Sequence, residues 1–224
     1  MQIEEYINAL RTEFKNNANP KIALEQKAYM RNQFEYYGIK APDRREIQKA
    51  FFLKEHLPTK MEIEPLLKVL WLLPQRDYQY FSQELFHKYV RQFDIEDIDL
   101  IEFMIKHKSW WDTIDFIATK LLGEYFKMYP AQRNIIVGKW LVSNNIWLQR
   151  SCLLFQLKYK NDLDTVFLSD VIKSLLGSNE FFINKAIGWV LREYSKTNRG
   201  WVVDFVATTK LNPLSRREAL RLLK

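Results

Sequence analysis

Residue types that bind metals or shape turns are scarce in this chain of 224 residues. It has one cysteine, three histidines, six glycines and seven prolines. The single Cys152 excludes an intrachain disulfide and a cysteine-based metal site, and the scattered His56, His87 and His107 lack metal-ligand spacing. So few glycines and prolines disfavour an all-β fold, which needs many turns. We therefore expect no metal ion and no cofactor.

Sequence patterns for nucleotide binding and for membrane insertion are also missing. The chain has no glycine-rich dinucleotide fingerprint, no phosphate-binding loop and no HExxH pattern. It has no run of about 18 apolar residues and no signal-peptide core. These absences predict a cytoplasmic protein with neither a membrane nor a nucleotide as partner.

Positive charge is concentrated in the second half of the chain. Residues 1–129 hold 19 basic and 20 acidic side chains, whereas residues 130–224 hold 15 basic and 7 acidic ones. The net charge of the whole chain is +7. Such asymmetry favours a polyanionic partner on one side of the molecule. A basic surface that serves only solubility is the alternative.

Helical periodicity runs nearly from end to end. The first stripe has the i, i+3, i+4, i+7 spacing of one helix face, and its residues are Ile3, Tyr6, Ile7, Leu10 and Phe14. Further helices are predicted from residue 42 and at 20–36, 62–73, 77–92, 97–107, 111–128, 131–142, 146–159, 164–176, 181–196, 200–208 and 214–223. Because strand-like alternation and linkers are absent, we expect residues 1–224 to form one all-α domain.

Three segments share an apolar pattern and start 35 residues apart. They begin at Asp115, Arg150 and Lys185. A weaker copy begins at Arg217, after 32 residues, and Arg45 and Arg76 are candidates for earlier, looser copies. A period of this length is typical of an α-solenoid of stacked HEAT-like helical pairs, in which equivalent positions form a row on one surface, usually the concave one.

The row that starts with Asp115 combines one acid with several bases. Arg150, Lys185 and Arg217 are predicted near helix starts, where basic side chains are not favoured unless they serve a purpose. A phosphate-binding track on the concave face is one interpretation, and ordinary solvated charges are the other. Asp115 would repel a polyanion, so it is either a structural cap or catalytic.

Two tryptophans lie in register with this row. Trp111 is four residues before Asp115, and Trp189 is four residues after Lys185, so each pair shares a helix face. An indole face and a carboxylate both attract cations, which suits a substrate that becomes cationic in a transition state. Packing is the alternative for any aromatic residue at helical spacing, and it is the interpretation for Trp110, Trp140 and Trp147.

Several longer motifs carry a resemblance to a known family. They are SWWDTID at 109–115, WLQR at 147–150, FQLKYK at 155–160 and FFINKAIGWVLREY at 181–194. With Tyr29-Met30 and Gly38-Ile39 near the start and Arg217-Glu218-Ala219 near the end, they resemble the AlkD family of DNA alkylation-repair glycosylases. The resemblance covers nearly the whole chain and implies a fold of HEAT-like repeats.

The resemblance implies a role for each matching residue. Asp115 matches the catalytic aspartate, and Trp111 and Trp189 match two indoles that bracket the deoxyribose of the lesion. Residues expected to contact DNA are Tyr29, Arg150, Lys158, Lys185 and Arg192. The segment before Tyr29, residues 21–27, is less similar to the family than the rest of the chain.

The implied reaction is hydrolysis of the N-glycosidic bond of a cationic alkylated purine, N3-alkyladenine or N7-alkylguanine, in duplex DNA. A cationic purine leaves readily, so no general acid is needed, and Asp115 would stabilise the developing oxocarbenium ion. The family does this without holding the base in a flipping pocket. The implied partner is alkylated double-stranded DNA, bound by a monomer in the cytoplasm at the nucleoid.

Two other functions remain open at this point. A paralogue with the same fold could keep the site residues yet bind DNA weakly and without catalysis. A protein-binding scaffold is the second, since α-solenoids commonly bind proteins. A scaffold has no evident use for Asp115 in line with Arg150 and Lys185, which disfavours it.

Overall fold

The all-α architecture is confirmed. A computed structural model describes residues 3–223. The α-helices are α1 (Ile3–Asn16), α2 (Pro20–Tyr29), α3 (Ala41–Phe51), α4 (Lys60–Leu72), α5 (Arg76–His87), α6 (Asp97–Lys106), α7 (Trp111–Phe116), α8 (Gly123–Met128), α9 (Pro130–Leu141), α10 (Ile146–Leu154), α11 (Thr165–Ser174), α12 (Phe181–Tyr194), α13 (Arg199–Thr208) and α14 (Pro213–Ala219). Within the described residues, β structure is limited to an isolated bridge between Glu35 and Gln75.

Many helices begin at a residue whose side chain accepts hydrogen bonds from the first turn. Asn145 accepts from the backbone amides of Trp147 and Leu148 at the start of α10, and Asn212 accepts from Leu214 at the start of α14. Such caps satisfy amides that have no partner inside the helix. Local sequence therefore fixes where α10 and α14 begin.

Four predicted helix ends are wrong, and one of them is that of the helix predicted over 214–223, which ends at Ala219. The helix predicted over 20–36 ends at Tyr29, because Arg31 and Asn32 adopt left-handed backbone conformations with φ of 55° and 59°. Those predicted over 77–92 and 146–159 end at His87 and Leu154, and short 3₁₀ turns at Val90–Gln92 and Lys160–Asp162 follow. A helix cannot continue through left-handed residues.

The 35-residue period extends further than the sequence pattern suggested. Five helices begin 35 residues apart, and a sixth begins 32 residues later. Their first residues are Ala41, Arg76, Trp111, Ile146, Phe181 and Pro213. The fifth residues of these helices are Arg45, Tyr80, Asp115, Arg150, Lys185 and Arg217. The positions of Asp115, Arg150, Lys185 and Arg217 are therefore equivalent within their helices. Arg45 and Tyr80 hold the same fifth position in theirs, whereas the candidate Arg76 is wrong, because it is the first residue of its helix.

The chain divides into two compact units, one up to Asp94 and one from Ile95 onward. In the first, the predicted stripe of α1 is buried at Tyr6, Ile7, Leu10 and Phe14. Phe14 lies edge-on to Phe81 of α5, with ring centroids 6.4 Å apart. Aromatic packing between α1 and α5 is thus part of the core of this unit.

In the second unit, helices α7, α10, α12 and α14 are successive neighbours. Helices α9 and α11 contact α10, and α13 contacts α12 and α14, as expected for stacked helical pairs. A π-helical segment, Ile117–Leu122, continues α7 into α8 without a break. The sequence prediction of one helix over 111–128 is therefore right in extent, although its middle is not α-helical.

None of the helices within residues 3–223 is long and apolar enough to cross a membrane. The single-domain organisation, the curvature of the repeat array and its concave basic face remain predictions.

Candidate active site

The centre of the candidate site is an ion pair between Asp115 and Arg150. The guanidinium of Arg150 donates from Nε to Asp115 Oδ1 at 2.9 Å and from Nη2 to Oδ2 at 3.1 Å. Its Nη1 donates to the backbone carbonyl of Phe182 on α12 at 2.6 Å. Arg150 therefore connects α7, α10 and α12, and it fixes the plane of the Asp115 carboxylate.

The two partners of this pair differ in exposure. The side chain of Arg150 is 4% exposed and that of Asp115 is 19% exposed. The carboxylate therefore keeps some contact with solvent, while the guanidinium lies within the protein. The phosphate contact expected of Arg150 remains a prediction, because its guanidinium here donates to Asp115 and to Phe182.

The backbone around Asp115 is also unusual. The π-helical segment begins two residues after Asp115, and the hydroxyl of Thr119 donates to the Asp115 carbonyl at 2.7 Å. Single-turn π segments inside helices occur frequently at functional sites. This segment provides an additional residue per turn next to the carboxylate, a feature that no apolar pattern in the sequence revealed.

Burial perturbs the protonation of Asp115. It raises the pKa of Asp115 to about 6, although the charge and hydrogen bonds of Arg150 oppose this shift, and the nearby carboxylate of Asp112 adds to it. A carboxylic acid with a raised pKa binds protons more tightly in the folded state than in the unfolded state. At pH 7 the carboxylate is ionised in a partly desolvated setting, where it can stabilise positive charge strongly.

The two tryptophans that the sequence selected are half-buried. Trp111 is the first residue of α7, one turn before Asp115, and Trp189 lies on α12, one turn after Lys185. Both helices contact α10, which carries Arg150. The structure thus places the two tryptophans on the two helices that flank Arg150.

Three other aromatic rings form a cluster beside the ion pair. The ring centroids of Trp110, Trp147 and Phe182 lie 4.9–5.7 Å apart. The guanidinium carbon of Arg150 is 6.0 Å from the Phe182 centroid. Sequence reasoning assigned Trp110 and Trp147 to packing, and it did not identify Phe182 as a neighbour of the site. The repeat could have indicated Phe182, because it occupies the same position in α12 as Trp147 does in α10, the second residue of the helix.

The predicted DNA-binding cations of the second unit are all paired with carboxylates. Lys158 Nζ lies 3.0 Å from Glu193 Oε1, and Lys185 Nζ lies 2.7 Å from Glu218 Oε1. Arg192 donates to the other oxygen of Glu218. Sequence reasoning did not assign a role to Glu218. Its signal was visible, because it is the one acid in α14 and directly follows Arg216 and Arg217.

Tyr29 belongs to the first unit and has a different environment. It is the last residue of α2 and is 72% exposed. None of the residues of α2 is buried. The helix is held at its start, where the Asn19 side chain accepts hydrogen bonds from the backbone amides of Lys21 and Ile22. The backbone amide of Asn19 donates to the Tyr37 carbonyl at 2.8 Å.

No group of three or more histidine, cysteine, aspartate or glutamate side chains with metal-binding geometry occurs among residues 3–223. The thiol of Cys152 is buried, which raises its pKa well above the usual range. The functional groups that the candidate site presents are the carboxylate, the guanidinium and the indoles.

Comparison with known proteins identifies the family of the chain. The sequence profile of a family described as "DNA alkylation repair enzyme" matches residues 10–223. No curated protein matches the chain at a significant level.

Two solved structures are similar to the chain. A protein from Enterococcus faecalis, described as a predicted DNA alkylation repair enzyme, is 31% identical over 92% of this chain and 97% of its own, with a TM-score of 0.86. AlkD2 from Streptococcus mutans is 17% identical over 82% of this chain and 88% of its own, with a TM-score of 0.59, and that likeness shows the fold alone. The chain belongs to the family of DNA alkylation repair enzymes.

Proposed function

We propose that this protein is a DNA glycosylase that hydrolyses the N-glycosidic bond of cationic alkylated purines in duplex DNA. Membership of the family supports a role in DNA alkylation repair, with DNA as the partner. The observation that carries the finer proposal is the Asp115 carboxylate, which is 19% exposed and is held in a fixed plane by Arg150. Such a group can stabilise a cation that forms in front of it.

The substrate class follows from what the site can supply. A purine alkylated at N3 of adenine or N7 of guanine carries a positive charge, so it leaves without a general acid. The remaining barrier is the positive charge that develops on the deoxyribose. A fixed carboxylate in a partly desolvated site lowers such a barrier by about 3 kcal/mol, by analogy with single preorganised groups in other active sites.

In this proposal Asp115 has two tasks, and Arg150 supports both. The ionised carboxylate stabilises the oxocarbenium ion and orients the water that attacks it. Arg150 keeps the carboxylate in place and contributes part of the charge balance before DNA binds. Preorganisation of this kind avoids reorientation during the reaction.

The indoles of Trp111 and Trp189 provide the second source of stabilisation. Their faces attract a cation with about 1–2 kcal/mol each when water is excluded. We propose that they flank the deoxyribose, as the resemblance implies. Selectivity then comes from the lability of the cationic lesion, since no flipped base has to be read.

Binding to DNA is expected to be mainly electrostatic. The excess positive charge lies in residues 130–224, and the cations proposed to face the phosphates are Lys158, Lys185 and Arg192. Affinity should therefore fall steeply as salt rises. Tyr29 is proposed to approach the DNA from α2.

A weakly binding, non-catalytic paralogue is the second candidate. The observation that favours it is the pairing of Lys158, Lys185 and Arg192 with carboxylates, since DNA phosphates must compete with Glu193 and Glu218. This pairing lowers the electrostatic gain from binding.

An excision assay on methylated duplex DNA distinguishes the two candidates. We expect release of 7-methylguanine by the wild-type protein in single-turnover conditions, above the spontaneous rate in matched buffer. Absence of release at saturating protein, together with weak binding to the same duplex, would establish the paralogue instead.

A further inference from the structure

Glu218 is a buried carboxylate at the edge of the candidate site that the proposed reaction does not use. It accepts from Lys185 Nζ through Oε1 at 2.7 Å and from Arg192 Nη1 through Oε2. As a residue it is only 7% exposed. One carboxylate on α14 thus holds two cations on α12.

The two cations lie on one face of α12, on either side of Trp189. Lys185, Gly188 and Arg192 follow the spacing of a single helical stripe, and Trp189 comes directly after Gly188. Lys185 lies one turn before Trp189 and Arg192 about one turn after it, and their side chains converge on the single carboxylate of Glu218. Any displacement of this stripe would alter the surroundings of Trp189.

A glycine on this stripe allows α14 to approach closely. A Cβ atom at Gly188 would lie 2.5 Å from Glu218 Cβ and 2.9 Å from the Ser215 carbonyl oxygen, which is too close for any other residue. Ser215 Oγ also donates to the backbone carbonyl of Asn184 on α12 at 2.8 Å. Backbone packing, and not side-chain reach alone, therefore fixes the position of the Glu218 carboxylate.

Glu218 is ionised at neutral pH. The hydrogen bond from Lys185 is the largest cause that lowers its pKa, and Arg192 lowers it further. The carboxylate has two oxygens, while an ammonium has three N–H donors and a guanidinium has five. Lys185 and Arg192 are 38% and 18% exposed, so both have donors left for another acceptor.

We propose that Glu218 is a positioning residue, which holds Lys185 and Arg192 so that their remaining donors meet successive DNA phosphates next to Trp189. This rests on the proposed function only in taking DNA as the substrate. Long cationic side chains lose rotamer freedom when they bind a phosphate, and prior fixation removes part of that cost. A variant that replaces Glu218 by Gln also loses a negative charge that repels DNA, which by itself raises affinity. The excision rate and the salt dependence of binding are therefore better measures of positioning than affinity alone.

The first measurement does not require catalysis. The affinity of Glu218→Gln for an undamaged DNA duplex is measured by fluorescence anisotropy at several salt concentrations. Removal of the carboxylate charge raises the net charge of the group formed by Lys185, Arg192 and Glu218 by one. The slope of log affinity against log salt is then expected to become steeper by about 0.9.

Two matched variants control this result. Glu124→Gln removes the same charge from a surface pair with Lys127 in the same unit and should leave the slope unchanged. Ser215→Ala removes a hydrogen bond between α14 and α12 but keeps the negative charge of Glu218, so it should lower Tm without changing the slope. An unchanged slope in Glu218→Gln, or a steeper slope in Ser215→Ala as well, overturns the proposal.

The second measurement is the single-turnover release of 7-methylguanine at saturating protein. Glu218→Gln is expected to release it about tenfold more slowly than wild type, and Glu218→Asp to recover most of the rate. A wild-type rate in Glu218→Gln overturns the positioning role even if the slope has changed. If the wild-type protein releases no base, the proposed function fails, and the slope measurement alone decides the role of Glu218.

Discussion

Helices α2 and α12 both carry residues expected to contact DNA, yet they are built in opposite ways. Eight of the fourteen residues of α12 are buried, and its cations Lys185 and Arg192 are bound by Glu218. Helix α2 has no buried residue, and Tyr29 is 72% exposed at its end. In α12 the expected binding residues are part of the packing, whereas in α2 they are not.

Because of this difference, substitutions in the two regions should affect stability and function in different ways. Changes around α10 and α12 should affect folding as well as reactivity, because buried pairs are costly to break. A change on the exposed face of α2 should leave folding intact, because surface substitutions typically alter stability by less than about 0.5 kcal/mol. Variants in the two regions can therefore test the comparison directly.

The largest effect is expected for Asp115→Asn. Loss of the carboxylate charge should lower the rate of 7-methylguanine release by about 10²–10³-fold. The substitution also leaves the buried guanidinium of Arg150 without its anionic partner, so Tm at pH 7 should fall as well. Single-turnover excision and thermal unfolding measure the two quantities.

The control for this variant is Asp112→Asn, which removes a neighbouring charge from the same helix. Release at near the wild-type rate is expected from it. Undiminished release by Asp115→Asn would remove Asp115 from the chemistry.

Arg150→Ala is expected to cause the largest loss of stability. It leaves Asp115 without its cation and the Phe182 carbonyl without its donor. Breaking a buried pair in this way costs about 3–5 kcal/mol in the free energy of unfolding, as chemical denaturation can measure.

The salt dependence of DNA binding decides the second role of Arg150. If the guanidinium only holds Asp115, the slope for Arg150→Ala at a temperature where it is folded should equal the wild-type slope. A slope shallower by about 0.9 would show instead that Arg150 contacts a phosphate in the complex.

A moderate effect is expected when pH is changed. The reaction needs the ionised form of Asp115, whose pKa is about 6, so release should rise tenfold per pH unit below pH 6 and be constant above it. The stability contribution has the opposite sign. Because the folded pKa is above the unfolded value, stability from this group falls as pH rises from about 4 to 6. A flat rate profile between pH 5 and 8 would contradict this assignment.

A smaller effect is expected for Lys158→Ala. Its side chain is 56% exposed and is paired with Glu193 at the surface, so its removal should change the free energy of unfolding very little. Affinity for duplex DNA should fall a few-fold, with a shallower salt slope. Glu193→Gln is the matched variant, and it should strengthen binding because it releases Lys158 and Lys196 from the same carboxylate.

The smallest effect on the fold is expected for Tyr29→Ala. Tm should match the wild type, while affinity for duplex DNA should fall about threefold if α2 reaches the DNA. An affinity equal to that of wild type would confine the interaction with DNA to the second unit. A clear drop in Tm would contradict the comparison between α2 and α12.

Local sequence was sufficient for much of this architecture. The apolar stripe of α1 and the capped start of α10 follow from residue types at fixed spacings. The 35-residue period placed Asp115, Arg150 and Lys185 at equivalent positions, and the structure makes each the fifth residue of its helix. Helix ends were harder to predict from the sequence. The end of α2 depends on the left-handed conformations of Arg31 and Asn32, which neither residue type requires.

The sequence by itself determined the helices, their period and the family, because these depend on short-range spacing and on motifs. Only the tertiary structure decided which charges meet. The row suggested that Asp115 stands apart among bases, but it lies against Arg150, and Glu218 lies against Lys185 and Arg192. Such pairings depend on how closely neighbouring helices approach, which is set by contacts such as that of Gly188 with α14 and cannot be deduced from spacing along one chain.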